Sequence, residues 1–400
     1  MDNRIHVLQV SKSTGGAGHY LRSLVYGLDK KHFKVTVVFL SDESEKLAID
    51  LSRVDGVNVL SYKMDRYRIN PFTDALVWWK LTRLIRQERF DLIHAHVSKP
   101  GFLARIAAVG TGIPVIYCPA CFSFHDGVAR WKALLYSVIE RTMAAWFTNK
   151  IVCQCNDEHN LALRYHVGAE EQLLTIYSGV DESQFAIKVN RKAIRKSLGI
   201  PEFAFLVGCV GRLSKQKAPA DFVKAAALVH KEFPLVHFVW IGDGELMENA
   251  QALAISLGIG HVIHFVGYRH DIADQLQVLD CFVLVSHWEG FSLSVLEAMA
   301  AGLPVIMSRV SGAGEAVVDG ETGRLVPING AKELAAAIVD MVTNPGQAVS
   351  FGKAGQLRVK QLFTLNRMIS AIEDLYFELI QQKIRVSEKN TKRENSPFIK

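Results

Sequence analysis

The 400-residue chain has no uninterrupted apolar run of about eighteen residues, so no membrane-spanning helix is expected. It also lacks the opening of a secreted protein. MDNRIHVLQV is a short charged start leading straight into a strand pattern, with no long apolar region and no small-residue cleavage site. The six cysteines (Cys118, Cys121, Cys153, Cys155, Cys209 and Cys281) do not make the two C-x-x-C sets of a zinc site. Cys118 to Cys121 is a single such spacing without a second pair. Reduced thiols in a cytoplasmic protein are the expected state. Charge imbalance is small too. The net charge is +6, and six basic residues against two acidic ones lie from Lys383 onward. The body is then nearly neutral, which argues against a nucleic-acid partner. No short internal repeat is present, which excludes a solenoid. No D-x-D-like carboxylate pair offers itself to a divalent cation, so chemistry without a metal or other cofactor is expected.

What the chain does have is apolar residues, 49% of the total, and enough length for two cores. Short apolar runs alternate with longer helical patterns, as in parallel α/β units. Strands are predicted at Ile5 to Val10, Val35 to Leu40, Leu92 to Ala95, Val115 to Tyr117 and Lys150 to Cys153. A helix from about His19 follows the first. The pattern restarts at Phe205 to Val210 and continues through His237 to Ile241, Val262 to Phe265, Cys281 to Val285 and Pro304 to Met307. Two doubly wound α/β domains follow, over 1–185 and 186–364, with a last helix over 365–382 and a basic, disordered tail over 383–400.

Three segments carry chemistry. In SHWEGFSLSVLEAMAA, Glu289 lies in a loop after a strand, a helix begins near Ser292, and Glu297 lies within that helix. First-turn N–H groups around Phe291, Ser292 and Leu293 form an anion site strengthened by the helix dipole. A diphosphate fits there, with a carboxylate on either side for sugar hydroxyls. The bland reading is a capped helix with two surface glutamates, but Glu297 stands among Val295, Leu296, Ala298 and Met299, where a lone carboxylate is costly. In GCVGRLSKQK, Arg212 and Lys217 follow a buried strand directly, on the edge where open α/β sheets bind ligands. Guanidinium and ammonium groups suit phosphate; a solvated basic loop is the alternative. In STGGAGHY, Gly15 and Gly16 let backbone approach a ligand closely. The dinucleotide fingerprint fails at Leu21, although Asp42 stands where a ribose-binding acid would.

Taken in order, GGAGH, IHAHVSKPGFLARIAA, YSGVD, VGRLSKQK, IGDGEL, FVGYRHD, EGFSLSVLE, GLPVI and GETGRLV make the chain resemble the family 4 retaining glycosyltransferases of the GT-B fold. The likeness covers roughly residues 4 to 380 and is strongest to bacterial members that build exopolysaccharide, capsule or O-antigen units. It implies two Rossmann-like domains facing a central cleft, the first binding acceptor and the second a nucleotide-diphosphate sugar, with a UDP-sugar the expected donor. The last helix would cross back to the first domain. Glu289 and Glu297 match the E-x7-E acids, the first near the transferred sugar and the second on the ribose. Arg212 and Lys217 match the diphosphate clamp. Phe291, Ser292 and Leu293 match the backbone donors to phosphate, Gly15 and Gly16 the loop over the donor, and Tyr268 and Arg269 the base-holding segment. The resemblance implies a hexose or N-acetylhexosamine moved to a polyprenyl-diphosphate-linked glycan acceptor.

One departure stands out. Members of the family it resembles usually place a histidine, sometimes an arginine, after the strand PVIYC, where this chain has Ala120, followed by Cys121 in place of a common glycine. His125 is the candidate substitute; a solvated loop histidine is the alternative. Ala218 replaces a second frequent glycine after Lys217. The segment WWKLTRLIRQERF reads as a basic amphipathic helix, with Lys80, Arg83 and Arg86 as contacts to an anionic inner-membrane surface, or else as an ordinary helix packed on the sheet. Peripheral attachment to the inner face of the cytoplasmic membrane is the expected location. Three other readings are a sugar-nucleotide epimerase of the same architecture, a nicotinamide dehydrogenase, and a non-catalytic nucleotide-sugar-binding partner.

Overall fold

The computed structural model describes residues 3–40, 45–65, 70–125 and 127–394; Asp42 and residues 395–400 lie outside them. Two compact units divide the chain. One comprises Met1–Gln154, Glu158–Ile176 and Asn366–Lys400, the other Cys155–Asp157 and Tyr177–Leu365. The main division thus falls earlier than the 185/186 boundary read from the sequence.

The first unit holds β1 (Ile5–Ser11), β2 (Phe33–Leu40), β3 (Val57–Tyr62), β4 (Leu92–His96), β5 (Val115–Cys118), β6 (Lys150–Cys153) and β7 (Leu173–Thr175). They form one parallel sheet in the order β3-β2-β1-β4-β5-β6-β7. Its helices are α1 (Gly15–Gly27), α2 (Glu45–Ser52), α3 (Pro71–Gln87), α4 (Ser98–Ala107), α5 (Arg130–Phe147) and α6 (Asn156–Arg164). Helices cover both faces, so the central strands are buried on both sides and are mostly apolar, with a few buried polar residues such as Gln9, His94 and His96. The order reverses beside β1, where β2 lies on one side and β4 on the other. Right-handed crossovers then put α1 and α2 on one face and α3, α4 and α5 on the other.

The second unit repeats the plan with β8 (Phe205–Val210), β9 (Val236–Ile241), β10 (Ile263–Phe265), β11 (Cys281–Leu284), β12 (Val305–Ser308) and β13 (Gly323–Val326). The order is β10-β9-β8-β11-β12-β13, again all parallel. Around it lie α7 (Arg191–Ser197), α8 (Pro219–Glu232), α9 (Met247–Ser256), α10 (Ile272–Gln277), α11 (Leu293–Ala300), α12 (Ala313–Ala316), α13 (Ala331–Thr343) and α14 (Pro345–Leu362).

The last helix, α15 (Leu365–Glu394), packs in the first unit through Tyr376. Its buried hydroxyl accepts from Gln9 Nε2 at 2.8 Å and lies 2.7 Å from His94 Nδ1. Gln9 Oε1 meets His96 Nε2 at 2.8 Å. Burial holds His94 well below the ordinary histidine range and His96 down to about 3. Both rings are neutral members of a core network.

Two expectations need correction. The helix expected to end at 382 continues to Glu394, so the segment 383–394 is helical and not a disordered tail. Helix α1 begins at Gly15, not near His19, so Gly15 and Gly16 form its first turn. First-turn N–H groups need no helical partner, which removes part of the usual penalty on glycine there. Gly18 is the residue that sterics demand: a Cβ would sit 2.4 Å from the Ser13 carbonyl oxygen.

Candidate functional site

The two loops that leave β8 and β11 meet at the point where the second sheet reverses its strand order, the usual ligand crevice of an open α/β sheet. They are tied together by backbone and side chain. His287 N–H donates to the Gln216 carbonyl at 2.8 Å, and the Gln216 amide donates to the Trp288 carbonyl at 3.0 Å. Between them lies the strongest charge contact, Lys217 Nζ to Glu289 Oε1 at 2.6 Å. Only 15% of the Lys217 side chain and 8% of the Glu289 side chain reach solvent. Ser286 Oγ also donates to Glu289 Oε1, at 2.6 Å. Lys217 is therefore an enclosed, paired cation and not the solvent-facing group that a simple clamp suggests.

Arg212 is different. It leaves the same strand but reaches outward to Glu245 Oε2 at 3.1 Å, with both side chains well exposed. Such a pair contributes little to folding and is readily exchanged for another anion. Ser292 is the N-cap of α11, yet its hydroxyl does not cap the helix; it lies 3.2 Å from Ser294 Oγ. The first-turn N–H groups near Leu293 thus keep the anion-attracting character of a helix start. Phe291 is buried, stacked in a tilted pair with Tyr177 at 5.3 Å.

Glu297 lies one turn further along α11, between the fully buried Val295, Leu296, Ala298 and Met299. Loss of hydration pushes its carboxyl up to about 7. Tyr268 and Arg269 follow β10 on the same edge of the sheet. The Tyr268 ring is 66% exposed and its N–H donates to Asp243 Oδ2 at 3.3 Å. Arg269 is forked onto Asp271 at 2.9 and 2.7 Å. That pair is about as exposed as the Arg212–Glu245 pair. Among the described residues no group of three His, Cys, Asp or Glu side chains is arranged to hold a metal ion.

Ala218, in the place of a frequent glycine, has φ +43° and is the N-cap of α8. A left-handed alanine costs on the order of 1–2 kcal/mol. It persists because Pro219 starts the helix and the Lys217–Glu289 pair anchors the preceding turn. The other departures behave alike: Ala120 and Cys121 have φ +52° and +101°.

Sequence reasoning missed what holds that second loop. Glu158, buried in the first unit, accepts from Cys121 N–H at 2.6 Å and Gln154 N–H at 2.8 Å. Burial raises its carboxyl to about 7 against those two donors. No motif marks it; the only signal is an acid inside the apolar face of α6. His125 is half-buried in the same loop, its N–H donating to Phe122 O at 3.2 Å. In the first unit, Gly15 has φ +65°, and neither Gly15 nor Gly16 has an atom within 4 Å of a would-be Cβ. Lys80, Arg83 and Arg86 are exposed on α3, whose apolar stripe Val77, Leu81 and Ile85 is buried in the core.

Comparison with known proteins agrees with the two-unit parallel-sheet fold. The profile described as "Glycosyl transferases group 1" matches residues 190–358, and that described as "Glycosyl transferase 4-like domain" matches residues 15–179. The UDP-Gal:alpha-D-GlcNAc-diphosphoundecaprenol alpha-1,3-galactosyltransferase of Escherichia coli is 31% identical over 308 residues, covering 76% of this chain and 79% of the relative. The N-acetyl-alpha-D-glucosaminyl L-malate synthase of Bacillus anthracis is 24% identical over 339 residues, covering 81% and 84%. Among solved structures, Anabaena HepE in complex with UDP and glucose superposes with a TM-score of 0.79 at 19% identity, covering 93% of this chain and 99% of that one. Sucrose-phosphate synthase from Thermosynechococcus elongatus superposes with a TM-score of 0.80 at 21% identity, covering 95% and 100%.

Proposed function

The chain belongs to the group 1, family 4-like glycosyltransferases, and from that premise we propose that it moves a hexose or N-acetylhexosamine from a UDP-sugar, with retention, to a polyprenyl-diphosphate-linked glycan acceptor. The acceptor class is supported by the diphosphoundecaprenol substrate in the name of the E. coli relative. The setting is bacterial surface-polysaccharide synthesis on the inner face of the cytoplasmic membrane. The observation that carries the donor side is the constellation of Arg212, the Lys217–Glu289 pair and the start of α11 at one switch point.

In this reading the donor diphosphate lies over the first turn of α11, whose N–H groups and dipole meet its charge. Arg212 exchanges the exposed Glu245 for phosphate. Lys217, kept in place by Glu289, adds a fixed positive charge on the other side. As the bond from the sugar's anomeric carbon to the β-phosphate oxygen breaks, these groups stabilise the leaving nucleoside diphosphate without reorganising. The acceptor oxygen forms the new bond to that carbon, and its proton passes to the leaving phosphate. Glu289 is then placed to accept from hydroxyls of the transferred sugar, and Glu297 from the ribose. Tyr268 and its neighbouring backbone contact the base. No divalent cation is required in this scheme.

The test is a donor panel with purified protein, read first by thermal shift, because a specific ligand stabilises the native state by mass action. UDP-sugars should raise the melting temperature more than GDP- or ADP-sugars, with the same response in EDTA. Product from a lipid-linked acceptor, with the anomeric configuration retained by NMR, completes it. Release of nucleoside diphosphate without any acceptor product would favour an epimerase; a shift without turnover on any acceptor would favour a binding partner.

A further inference from the structure

Helix α5 is built inside out relative to an ordinary surface helix. Its inward row is small and polar-bearing: Ala133, Ser137, Glu140 and Ala144 are buried. The opposite row, offset by two positions, is Trp131, Leu135, Val138, Thr142 and Trp146, and every member is exposed. Trp146 is 78% exposed, Trp131 66% and the flanking Leu134 61%. Exposed apolar residues scattered singly need no explanation, but a contiguous helical face of them does.

The exposed charges of the helix itself have one sign. Arg130, Lys132 and Arg141 are exposed beside it. The one acid of the helix, Glu140, points inward and is paired with Arg105 Nη2 at 2.8 Å, with both side chains buried. Lys132 Nζ lies 5.4 Å from the centre of the Trp131 ring. A tryptophan thus stands in the first turn and another in the last, with aliphatic residues between and cations at the margins. That pattern suits the boundary between headgroups and acyl chains of an anionic bilayer, with the helix lying in the plane. A second copy of the chain set face to face on this row would bring its cations toward those of its partner, which disfavours a dimer.

The neighbouring α3 shares the sheet face but is ordinary: its apolar stripe is spent on the core. It too exposes apolar residues, Phe72, Leu76, Trp78 and Trp79, beside Lys80, Arg83 and Arg86, but the α5 row carries a tryptophan in both its first and its last turn. We propose that α5 is the main element that seats the protein on an anionic lipid surface, with α3 as a secondary contact. This deepens the reading of a lipid-linked acceptor and rests on it for its biological sense.

The experiment is co-sedimentation of the full chain with vesicles of phosphatidylglycerol and phosphatidylethanolamine, or of phosphatidylcholine alone. Three variants are compared: Trp131→Ser with Trp146→Ser; Arg130→Gln, Lys132→Gln and Arg141→Gln together; and Lys80→Gln, Arg83→Gln and Arg86→Gln together. The parent should bind the anionic vesicles, and its tryptophan emission should shift to the blue. The tryptophan pair should lose at least about ten-fold in partitioning, as expected for two buried aromatic anchors. The α5 basic triple should lose the preference for anionic lipid, and the α3 triple should retain most binding. Since all the altered residues are exposed, melting curves should stay near the parent. Vesicle binding by the tryptophan pair equal to that of the parent would overturn the proposal. So would a parent that ignores vesicles and is a dimer that the same pair converts to monomer. Donor hydrolysis in solution, measured alongside, is independent of α5. Its absence in the parent would remove the transferase reading and leave the membrane result to be judged by itself.

Discussion

The two sheets reverse strand order in the same way, yet their reversal points are furnished with different chemistry. Beside β8 and β11 the loops carry Arg212, paired with the exposed Glu245, and the enclosed Lys217–Glu289 pair. Beside β1 and β4 the first unit has Gly15 and Gly16 with nothing near their Cα atoms, and His94 and His96 kept neutral in the core. One topology therefore serves two purposes. A diphosphate demands fixed opposite charge and a helix start. The first unit's edge offers bare backbone at Gly15 and Gly16, with Lys12 after β1 and Lys99, paired with Asp74, after β4.

The sharpest way to break this contrast is to truncate Lys217. Its side chain faces an enclosed carboxylate, so Lys217→Ala removes a phosphate contact and also strands Glu289. Loss of one preorganised donor is worth about 2–4 kcal/mol in the transition state, roughly a thirty- to thousand-fold fall in turnover. Breaking a buried pair adds about 3 kcal/mol of lost stability. Steady-state turnover and a melting curve should both fall. Arg212→Ala should show the first effect without the second, because its partner Glu245 is half exposed and remains hydrated. Its turnover should drop roughly thirty-fold or more with the melting temperature unchanged. Full activity in both variants would remove the clamp.

The first unit's edge is sharpened by acid. His96 has its pKa lowered from the ordinary 6.5 to about 3 by burial, so the unfolded chain takes up a proton that the folded one refuses. Stability is intact above pH 6.5 and is lost progressively as pH falls toward 3. At pH 4.5 the loss from this residue is about 2–3 kcal/mol. Glu158 and Glu297, both raised to about 7, act oppositely: their folded forms gain a proton, and relative stability, as pH falls from 7 toward 4.5. The informative quantity is thus a difference. The melting temperature of His96→Gln should fall less between pH 7 and 4.5 than that of the parent. Parallel curves would mean that His96 is not held neutral.

How much of this was legible depended on burial. Strands covered on both faces, such as β2 and β9, are largely apolar in the sequence and were read close to their limits. The edge strands β3, β7 and β13 were not seen. Asn58 and Ser61 are exposed in β3, and β7 and β13 are too short for a periodic signal. In the second unit, Arg212, Lys217, Glu289 and the start of α11 could be singled out as candidates because a proposed phosphate site calls for particular residue types next to particular strand ends. What the sequence could not display was pairing. Nothing in SKQK says that Lys217 closes onto Glu289 and Arg212 does not, or that Arg269 is paired with Asp271. Glu158 escaped for the same reason, since its partners are backbone N–H groups that any residue supplies. Helix α5 escaped because its periodicity is correct for an amphipathic helix; only the structure reveals which row faces out.

The smallest effect distinguishes the two glutamates of the second unit. Glu289 is held by a cation and a hydroxyl, whereas Glu297 sits in α11 amid apolar side chains, with desolvation pushing its carboxyl up to about 7. A ribose hydroxyl donates best to an ionised carboxylate, and a charged acceptor makes a stronger hydrogen bond than a neutral one. Donor binding should therefore favour the ionised form, which lowers the Glu297 pKa in the complex. As pH falls below about 7 the free protein takes up the proton first, and affinity for the nucleotide sugar should weaken. The change is bounded by one charge-assisted bond becoming a neutral one, about 1 kcal/mol, or roughly five-fold in Kd between pH 8 and pH 6. Nucleotide phosphate ionisation overlaps this range, so the control is a variant in the same buffers. Glu297→Gln keeps the shape and an acceptor oxygen but cannot titrate. Calorimetric titration of UDP-sugar should give the parent the steeper pH profile, with the variant weak throughout and following only the nucleotide's own titration. Superimposable profiles would place the ribose away from Glu297.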